Sequence, residues 1–386
     1  MPGPPISRRS LLLASAAAMS CGRKKAPRMS GYCFVANQGS RSVAVVSLER
    51  FRVTRHIALD AAPAMVLSHP REPKVLVLTP ENGTVHEIDA ATFSISRRAR
   101  VGGQAVGMQL APANNALWVL SREPSALVEL PLDSLKPGRR VRLPGPADAF
   151  DLVLHKKLQA PIAVAASRQD RTIILASLSK GSIDRTVAAA DEPSIVRFRA
   201  DGAQLIAGSW RGRSATIVDT ATGKTVVRLP LPLAPRHFCT TLDGGQLFIT
   251  GDGMDAVTVV FPYSTEVYQT ILAGRTPGAM AVTNPDTSNV SYLMVSNADT
   301  NSVTVLDYVY YTLVALVQVG QGPGQILLTA DDQYALVLNE KSGDLAVIRV
   351  LALSTTPNGG FRRYKSAPLF TLIPVGEKPV SAALVT

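Results

Sequence analysis

The stretch VSNADTNSVTVLD, residues 295–307, sets a short polar loop between two apolar runs. Nearly the same phrase begins at Val35, as VANQGSRSVAVVS, and again at Val337, as VLNEKSGDLAVIR. Short apolar runs bounded by turn residues favour β-strands. A strand–loop–strand phrase that returns along a chain indicates repeated structural units, so the number and spacing of these units decide the fold.

The repeat has a nearly fixed period. Each unit opens on an apolar strand, and successive openings lie 42 to 45 residues apart. Three further runs follow within a unit, and tight turns such as ADGAQ, LDGGQ and ADDQ carry the Asp and Gly residues that hairpins favour. Four short strands per repeat predict an all-β fold, a single β-propeller with one four-stranded blade per unit. The opening strands begin at Cys33, Val75, Leu117, Ile162, Leu205, Leu247, Tyr292 and Tyr334.

The two ends of the chain predict how the ring closes. The folded part opens on the second strand of a blade and ends on PVSAALVT, an isolated innermost strand. Pairing of residues 380–384 with residues 32–36 would complete one blade and leave no unpaired strand edge at the seam. The sequence therefore predicts eight blades, with seven as the alternative if the third or fourth unit is not a blade. Inner strands are expected to begin near Pro63, Ala105, Asp148, Pro193, Pro235, Pro277, Pro323 and Pro379.

The best-preserved units resemble the YVTN repeats of bacterial β-propellers. The resemblance is carried by FVANQGSRSVAVVS from Phe34, LMVSNADTNSVTVLD from Leu293 and VGQGPGQILLTADDQYALVLN from Val319. It extends from Tyr32 to Thr386, while the third and fourth units, around WVLSREPSALV and VAASRQDRT, depart from the pattern. The resemblance implies an exported, non-catalytic, WD40-like propeller, and it brings no catalytic residue with it.

The amino-terminal residues 1–21 have the order of an export signal. Arg8 and Arg9 precede an apolar run that ends at Cys21. The arginine pair resembles a twin-arginine signal, and AMSC at the end of the run resembles a lipobox whose cysteine is acylated, although Ala18 stands where leucine is usual. An ordinary first helix is the alternative, and it leaves the arginine pair unexplained. We expect export to the periplasmic or cell-surface side of a bacterial envelope, with Cys21 as lipid anchor, residues 22–31 as tether and residues 32–386 as propeller.

The chain is basic, with 40 Lys and Arg against 29 Asp and Glu and a formal net charge of +11. Many arginines fall on the predicted outermost strands, where charges discourage pairing with another sheet edge. Attraction to anionic lipid headgroups is the alternative interpretation. Export argues against nucleic acid as a partner, and we expect a monomer. The outer-strand arginines are Arg52, Arg55, Arg97, Arg98, Arg100, Arg139, Arg140, Arg142, Arg185 and Arg228.

The sequence lacks motifs for phosphate-binding glycine loops, GxSxG nucleophiles, HExxH zinc sites and CxxCH haem attachment. It therefore predicts no catalytic residue, metal or cofactor, and favours a protein that is not an enzyme. Cys33 and Cys239 each lie inside an apolar run and are expected to be buried. Four histidines are expected to be solvated, His56 and His86 on outer strands and His69 and His155 in turns.

One face of the predicted propeller gathers polar side chains that could bind a ligand. It holds the connections before the inner strands and the turns between second and third strands, with Arg122 and Arg168 among them. In SWRGRS, residues 209–214, a tryptophan next to two arginines can stack a planar ligand or contact a partner, although Trp210 could instead cap its blade. The candidate binding residues are Trp210, Arg211, Arg213, Arg236, His237, Arg275 and Lys378.

Two charged residues occupy the predicted inner strands. Asp151 and Arg197 take the fourth and fifth positions of neighbouring strands, so their side chains can face each other across a blade interface. The sequence predicts an ion pair between them. The alternative is that each lines the central channel and binds a ligand.

Two functions follow from these patterns. The first is a membrane-tethered scaffold that binds an unidentified protein, glycan or small ligand through its loop face. The second is a periplasmic propeller that handles a tetrapyrrole or quinone cofactor, or an enzymatic propeller. The absence of clustered histidines or carboxylates at the predicted channel mouth favours the first.

Overall fold

The computed structural model describes residues 30–353 and 367–386, and these form eight four-stranded antiparallel sheets arranged as a β-propeller. The fold class and the blade count predicted from the repeats are confirmed. The predicted export signal with Cys21 and the predicted tether up to residue 29 lie outside the described residues. Within the described ranges, helix is confined to three short segments: Pro80–Asn82 and Val350–Leu353 are 3-10 turns, and Pro285–Ser288 is one α-helical turn.

Blade 1 contains β1 to β3 and β32, and each later blade takes four consecutive strands, from β4–β7 in blade 2 to β28–β31 in blade 8. The first sixteen strands are β1 (Tyr32–Asn37), β2 (Ser42–Ser47), β3 (Arg52–Ala58), β4 (Met65–Ser68), β5 (Lys74–Thr79), β6 (Thr84–Asp89), β7 (Ser94–Arg100), β8 (Gln104–Leu110), β9 (Ala116–Glu123), β10 (Ser125–Pro131), β11 (Arg140–Arg142), β12 (Ala149–His155), β13 (Ala160–Ser167), β14 (Thr172–Ser177), β15 (Ser182–Ala188) and β16 (Pro193–Phe198). The others are β17 (Gln204–Ser209), β18 (Ser214–Asp219), β19 (Thr225–Pro230), β20 (Ala234–Thr240), β21 (Leu247–Asp252), β22 (Ala256–Phe261), β23 (Glu266–Leu272), β24 (Pro277–Val282), β25 (Tyr292–Asn297), β26 (Ser302–Asp307), β27 (Thr312–Gln318), β28 (Pro323–Leu328), β29 (Tyr334–Asn339), β30 (Asp344–Arg349), β31 (Leu369–Pro374) and β32 (Pro379–Val385).

The core lies between blades. Both faces of a blade are apolar, so a second strand such as β5 reads as a continuous apolar run and is buried along most of its length. Leu76 and Leu78 of blade 2 pack with Leu117 and Val119 of blade 3, and comparable clusters fill the other interfaces. Each fully buried side chain of this kind contributes about 1.5–3 kcal/mol. A single blade cannot bury its own faces, so the ring must form as a whole.

The ring closes as the sequence predicts. β32 pairs antiparallel with β1, with Cys33 opposite Leu384 and a bulge next to Asn37. The Asn37 side chain donates from Nδ2 to the carbonyl oxygen of Val375, 2.7 Å away at the end of blade 8. The closing strand therefore holds both ends of the propeller in one sheet.

Asparagine and glycine recur together in the best-preserved units for a packing reason. Asn297 ends the second strand of blade 7, donates from Nδ2 to Thr304 Oγ1 (2.8 Å) and accepts the backbone N–H of Gly274 (3.0 Å). A Cβ on Gly274 would lie 2.5 Å from the Asn297 side chain. The same close approach joins Asn339 to Gly320. Only glycine leaves room for the asparagine side chain. The asparagine in turn holds the connection before the inner strand against its own blade.

The outer arginines tie neighbouring blades together. Four of them reach backbone carbonyls in the turn between third and fourth strands of the next blade. Arg139 Nη1, for example, donates to the carbonyls of Leu178 and Ser179, each 3.2 Å away. From the sequence, these arginines are interpreted as charges that discourage pairing with another sheet edge. The structure adds a role in packing neighbouring blades together. The four are Arg55, Arg97, Arg139 and Arg185.

Blades 5 to 8 use a different outer contact. The positions that match Arg97 in strand register hold Val227, Gln269, Ala315 and Thr371. Aromatic pairs connect some of these blades instead: the ring centroids of Tyr268 and Tyr311 lie 5.3 Å apart, and those of Phe370 and Phe51 lie 4.9 Å apart. The basic half of the rim is thus the half that is joined by guanidinium groups.

Arg97 also neutralises a buried carboxylate. Glu87 is fully buried, and Arg97 Nε donates to its Oε1 at 2.9 Å while Arg97 Nη2 contacts Oε2. Lys74 Nζ lies 3.4 Å from the same Oε1. Burial alone would raise the pKa of Glu87, but the hydrogen bonds from Arg97 and Ser96 outweigh it and lower the pKa to about 2.

Deletion of residues 377–386 should unfold the ring. It removes β32, the inner strand of blade 1, and exposes the edge of β1 together with apolar side chains of two interfaces. Urea unfolding followed by circular dichroism should show loss of the cooperative transition or a large fall in its midpoint. Removal of Thr386 alone, which lies beyond β32, is the control and should leave the midpoint unchanged. An unaltered midpoint for the longer deletion would contradict the closing role of β32.

Arg97→Ala should lower the free energy of unfolding at pH 7 by about 3–5 kcal/mol, because it leaves the Glu87 carboxylate buried without its main partner. Arg52→Ala removes an exposed arginine from the equivalent edge of blade 1 and should cost less than about 1 kcal/mol. The folded pKa of Glu87 is depressed, so its stabilisation is present above about pH 4.3 and is lost as pH falls toward 2. The difference in free energy of unfolding between wild type and Arg97→Ala should therefore become smaller as the pH is lowered. A difference that does not depend on pH would exclude Glu87 as its cause.

Candidate functional site

The loop face carries an exposed tryptophan held in a fixed orientation. Trp210 lies in the turn between β17 and β18 of blade 5, and 42% of it is exposed. Its indole Nε1 donates to Asp252 Oδ2 at 2.8 Å, in the next blade. The guanidinium carbon of Arg236 lies 5.7 Å from the centroid of the Trp210 ring, and Arg236 Nε donates to the same Asp252 oxygen at 2.6 Å. Trp210 therefore bridges two blades and presents an aromatic surface to solvent.

The electrostatics of this group follow from its contacts. Burial raises the pKa of Asp252, but the hydrogen bonds from Trp210 and Arg236 outweigh it, so the pKa lies below its usual value and the carboxylate is charged at neutral pH. Desolvation lowers the pKa of His237, and the adjacent Arg236 lowers it further. His237 lies on the inner strand β20 and is solvent-accessible, so the channel wall carries a neutral imidazole.

A glycine permits this arrangement. β20 has a register shift between Pro235 and His237, next to Gly251 on β21. A Cβ on Gly251 would lie 1.8 Å from the carbonyl oxygen of Ala234 and 3.0 Å from the backbone nitrogen of Arg236. The bulge that turns Arg236 and His237 toward solvent therefore requires glycine at position 251.

Beside Trp210, blades 3 to 5 enclose a cavity of about 800 Å³, which we call the arginine cavity. Four arginines, three carboxylates and Trp210 contribute to its wall. The residues that line it are Arg122, Glu123, Ser125, Pro146, Asp148, Arg168, Gln169, Arg171, Glu192, Trp210 and Arg211. Its volume lies within the range of small-ligand sites.

Asp148 holds two arginines of the cavity in place. Its Oδ1 accepts from Arg122 Nη2 at 2.9 Å, and its Oδ2 lies 3.6 Å from Arg168 Nε and accepts the backbone N–H of Arg168 at 2.9 Å. Arg122 belongs to blade 3 and Arg168 to blade 4. This carboxylate therefore spans the interface between the two blades.

Glu192 does the same between blades 4 and 5. Its Oε1 lies 3.3 Å from Arg211 Nη1 and 3.9 Å from Arg171 Nη2. Both acids precede inner strands; Arg168, Arg171 and Arg211 lie in turns between second and third strands, and Arg122 lies at the end of the second strand β9. The two sets of loops that the propeller topology brings to one face thus interlock through ion pairs.

A second cavity, of about 460 Å³, adjoins the first and shares Arg168 and Trp210 with it. Pro235, Arg236 and His237 line its other side. We call it the channel cavity. Trp210 and Arg168 separate the two spaces and are available to a ligand in either.

The structure groups some of the sequence candidates and separates others. Trp210, Arg211, Arg236 and His237 line the two cavities. Arg213 lies close by, since a Cβ on Gly253 would be 2.8 Å from its Nη2. Arg275 precedes the inner strand of blade 7 and Lys378 that of blade 1; both are exposed, and neither lines these cavities. Lys378 lies across the ring from Trp210, because blades 1 and 5 are four blades apart.

Sequence reasoning did not single out Arg171, Asp148 or Glu192. The available signal was positional. Asp148 and Glu192 sit just before an inner strand, one unit apart, and arginines occupy the end of the second strand in blade 3 and the turn that follows it in blades 4 and 5. That acids in one loop set pair with arginines in the other depends on side-chain reach between blades, which the repeat period does not encode.

Asp151 and Arg197 meet across the interface of blades 4 and 5. Arg197 Nη1 lies 3.4 Å from Asp151 Oδ1. Asp151 is buried, whereas 40% of the Arg197 side chain is exposed. The closer partners of the carboxylate are the backbone N–H of Phe198, which donates at 2.7 Å, and Gln109 Nε2, which donates at 3.0 Å from blade 3. Asp151 therefore joins three blades, and Arg197 is its outermost contact.

The expectation that four histidines are solvated is wrong for three of them. His86 faces the core from β6, where its Nε2 lies 3.2 Å from Thr79 Oγ1, and burial lowers its pKa. His69, which follows β4, and His155, at the end of β12, are also buried. His69 Nδ1 accepts the backbone N–H groups of Arg71 and Glu72, and His155 Nδ1 accepts that of Leu158. A neutral imidazole can thus satisfy turn amides and be buried, which polarity alone did not predict. His56 is exposed as expected.

The described part of the chain has no group of three His, Cys, Asp or Glu side chains placed to hold a metal ion. None of its helices is long and apolar enough to cross a bilayer. Cys33 is buried and Cys239 is half-buried; desolvation raises the pKa of Cys33 to about 12 and that of Cys239 to about 11.

No family model matches the chain. Over 132 residues it is 27% identical to the "Seven-bladed beta-propeller protein Rv1057" of Mycobacterium tuberculosis, a match that covers 33% of each protein, so it spans a third of the length of this curated relative. This partial likeness and the eight-bladed architecture support a bacterial β-propeller.

Three solved structures share the fold at low identity. They are dihydro-heme d1 dehydrogenase NirN in complex with DHE (TM-score 0.71, 15% identity, 93% of this chain and 76% of that chain), Kuenenia stuttgartiensis hydrazine synthase (0.57, 18%, 75% and 95%) and a functionally unknown protein from Desulfotomaculum acetoxidans (0.58, 13%, 75% and 95%). Identities this low support the fold and nothing about ligands.

Asp151→Ala should lower the free energy of unfolding by about 2–4 kcal/mol, because it strands the Phe198 amide and the Gln109 side chain inside the protein. Arg197→Ala should cost less than about 1 kcal/mol, because the guanidinium is partly solvated and its contact is long. Urea unfolding of both single variants and of the double variant measures the coupling, expected below about 1 kcal/mol. If the two single variants lose the same free energy of unfolding, the ion pair would instead be the dominant contact of Asp151.

Proposed function

We propose that this protein is an exported bacterial β-propeller of the YVTN-repeat type, tethered to a membrane through acylated Cys21, that binds a ligand or partner through its loop face. The observation that supports binding is the arginine cavity, which combines a polar pocket of about 800 Å³ with the exposed aromatic surface of Trp210. Trp and Arg are the residues most enriched where binding energy is concentrated. Both are held here by ion pairs and hydrogen bonds, so little ordering remains when a ligand binds.

The tether and the export signal rest on the order of the amino-terminal residues. An acyl chain alone gives only marginal membrane binding, so a second attraction is needed for stable attachment. The basic residues of the tether, from Arg23 to Arg28, would supply it by interaction with anionic headgroups. β1, which follows the tether, starts on the face opposite the loop face. The tethered propeller would therefore direct the arginine cavity away from the bilayer.

A cofactor-handling propeller is the second candidate. It is favoured by His237, a neutral imidazole on the wall of the channel cavity, beside Arg236 and Trp210. A neutral imidazole can ligate a metal centre, and arginines can pair with carboxylate side chains of a tetrapyrrole. NirN, whose fold is similar, is a dihydro-heme d1 dehydrogenase. Titration of the full-length protein with haemin tests this candidate: a saturable absorbance shift that His237→Ala abolishes would favour it over the scaffold.

The binding proposal is tested by retention of envelope components. Full-length wild type, a Trp210→Ala/Arg168→Ala variant and an Arg142→Ala control are immobilised and exposed to a periplasmic and membrane extract of the source bacterium. Arg142 is exposed on β11 and lines neither cavity. Arg142→Ala therefore removes one positive charge, as Arg168→Ala does, without altering either cavity. We expect a component that wild type and control retain and that the cavity variant retains at least about tenfold less. Equal retention by all three would overturn binding at this face.

Cys21→Ala should release the protein from the membrane fraction and leave the propeller folded, because only the basic tether would still attract it to lipid. Fractionation of cells at low and high salt, with immunodetection of the protein, measures the distribution. Ala18→Leu, which brings the run closer to a lipobox, is the control and should stay with membranes. Retention of Cys21→Ala in the membrane fraction at high salt would contradict the lipid anchor.

A further inference from the structure

The arginine cavity has unused hydrogen-bond donors. Arg122 Nε is buried and has no partner within the described residues. Arg168 contacts Asp148 through Nε and its backbone amide, and no hydrogen bond from its two Nη groups is found in the described part of the chain. Arg122 Nε has almost no accessible surface, so a ligand in the cavity cannot reach it, whereas 56% of the Arg168 side chain is exposed. The cavity therefore favours a ligand that brings an acceptor to the Nη groups of Arg168.

The charge of the cavity limits what that acceptor can be. Four arginines line it against Glu123, Asp148 and Glu192, which leaves one net positive charge. A polyanion needs a continuous run of unpaired cations, whereas here each of Asp148 and Glu192 already pairs with two guanidinium groups. One carboxylate on the bound ligand balances the net positive charge of the cavity. A planar carboxylate also matches the fork of donors on a guanidinium.

The rest of the wall is suited to a sugar rather than to a macrocycle. Among the lining residues only Pro146 and Trp210 are apolar, whereas a tetrapyrrole ring needs mostly apolar walls. Sugar hydroxyls both donate and accept, so they can pair with the remaining guanidinium donors and carboxylate acceptors. The C–H face of a pyranose ring can pack on the exposed side of Trp210 by dispersion. The hydrogen bond to Asp252 prevents that indole from turning away.

We infer that the arginine cavity binds an acidic oligosaccharide with a single uronic-acid carboxylate, which pairs with Arg168 while a sugar ring packs against Trp210. The inference rests on the proposed function, because it names the ligand class of the same site. Trp210 would contact the sugar ring directly, while Asp148 and Glu192 act by holding arginines in place. Neutral sugars would satisfy the hydroxyl contacts but leave the net positive charge of the cavity unbalanced.

The test uses the full-length protein, cellobiouronate and neutral cellobiose, which differ in one carboxylate at C6 of one ring. Titration calorimetry at low and moderate salt gives both dissociation constants, and tryptophan emission reports the site because Trp118 is buried whereas Trp210 is exposed. We expect cellobiouronate to bind at least about tenfold tighter than cellobiose. Arg168→Ala should remove most of that preference, Trp210→Ala should weaken both sugars, and Arg142→Ala should change neither.

Each failure has a distinct meaning. Equal affinity for the two sugars overturns the carboxylate assignment, and the binding function stands. If neither sugar binds, the sugar class is wrong. The proposed binding function is then decided separately, by whether wild type retains an envelope component. An equal loss for Arg142→Ala and Arg168→Ala shows general charge attraction and overturns the site. Urea midpoints of all variants exclude misfolding as the cause of a loss.

Discussion

Pairing of β32 with β1 is the interaction on which the rest of the structure depends. Every blade buries its faces only against two neighbours, so seven interfaces can form in an open arc and the eighth forms only when the ends meet. Because the closing blade takes strands from both termini, the seam is a set of backbone hydrogen bonds within one sheet, reinforced by Asn37 donating to Val375. Chain entropy opposes this long-range contact, and the apolar clusters on either side of blade 1 offset it.

A closed ring fixes the distances between loops that are far apart in sequence. The connections before inner strands and the turns between second and third strands emerge on one face, and closure sets how near the loops of adjacent blades come. Asp148 can therefore hold Arg122 and Arg168 in two different blades, and Glu192 can hold Arg171 and Arg211. These ion pairs are partly exposed, so each adds little stability. Their contribution is to orient guanidinium groups, which suits a binding wall better than a structural brace.

The sequence contains most of the fold and less of the site. Strand positions, blade count and closure follow from the repeat period, because one blade is one unit of backbone geometry. Burial of His86 and the reach of Arg139 to Leu178 were missed, because both depend on which side chain faces a neighbouring blade. Trp210 was found because a tryptophan next to two arginines in one turn is unusual in any register. Its partner Asp252 lies 42 residues away, one unit further along the chain.

The departures from the repeat pattern have a physical sense. In the regular units, Asn37, Asn297 and Asn339 end the second strand and pack against a glycine. Blades 3, 4 and 5 hold Ser121, Ser167 and Ser209 at the same register. Ser121 still reaches the inner strand, but Ser167 and Ser209 form hydrogen bonds inside their own turns. In blades 4 and 5 the connection before the inner strand carries Asp148 and Glu192, whose ion pairs with arginines fix it instead. Natural sequences break local rules chiefly where function demands it. The irregular units are therefore where a binding site is expected, and they are the units that enclose the arginine cavity.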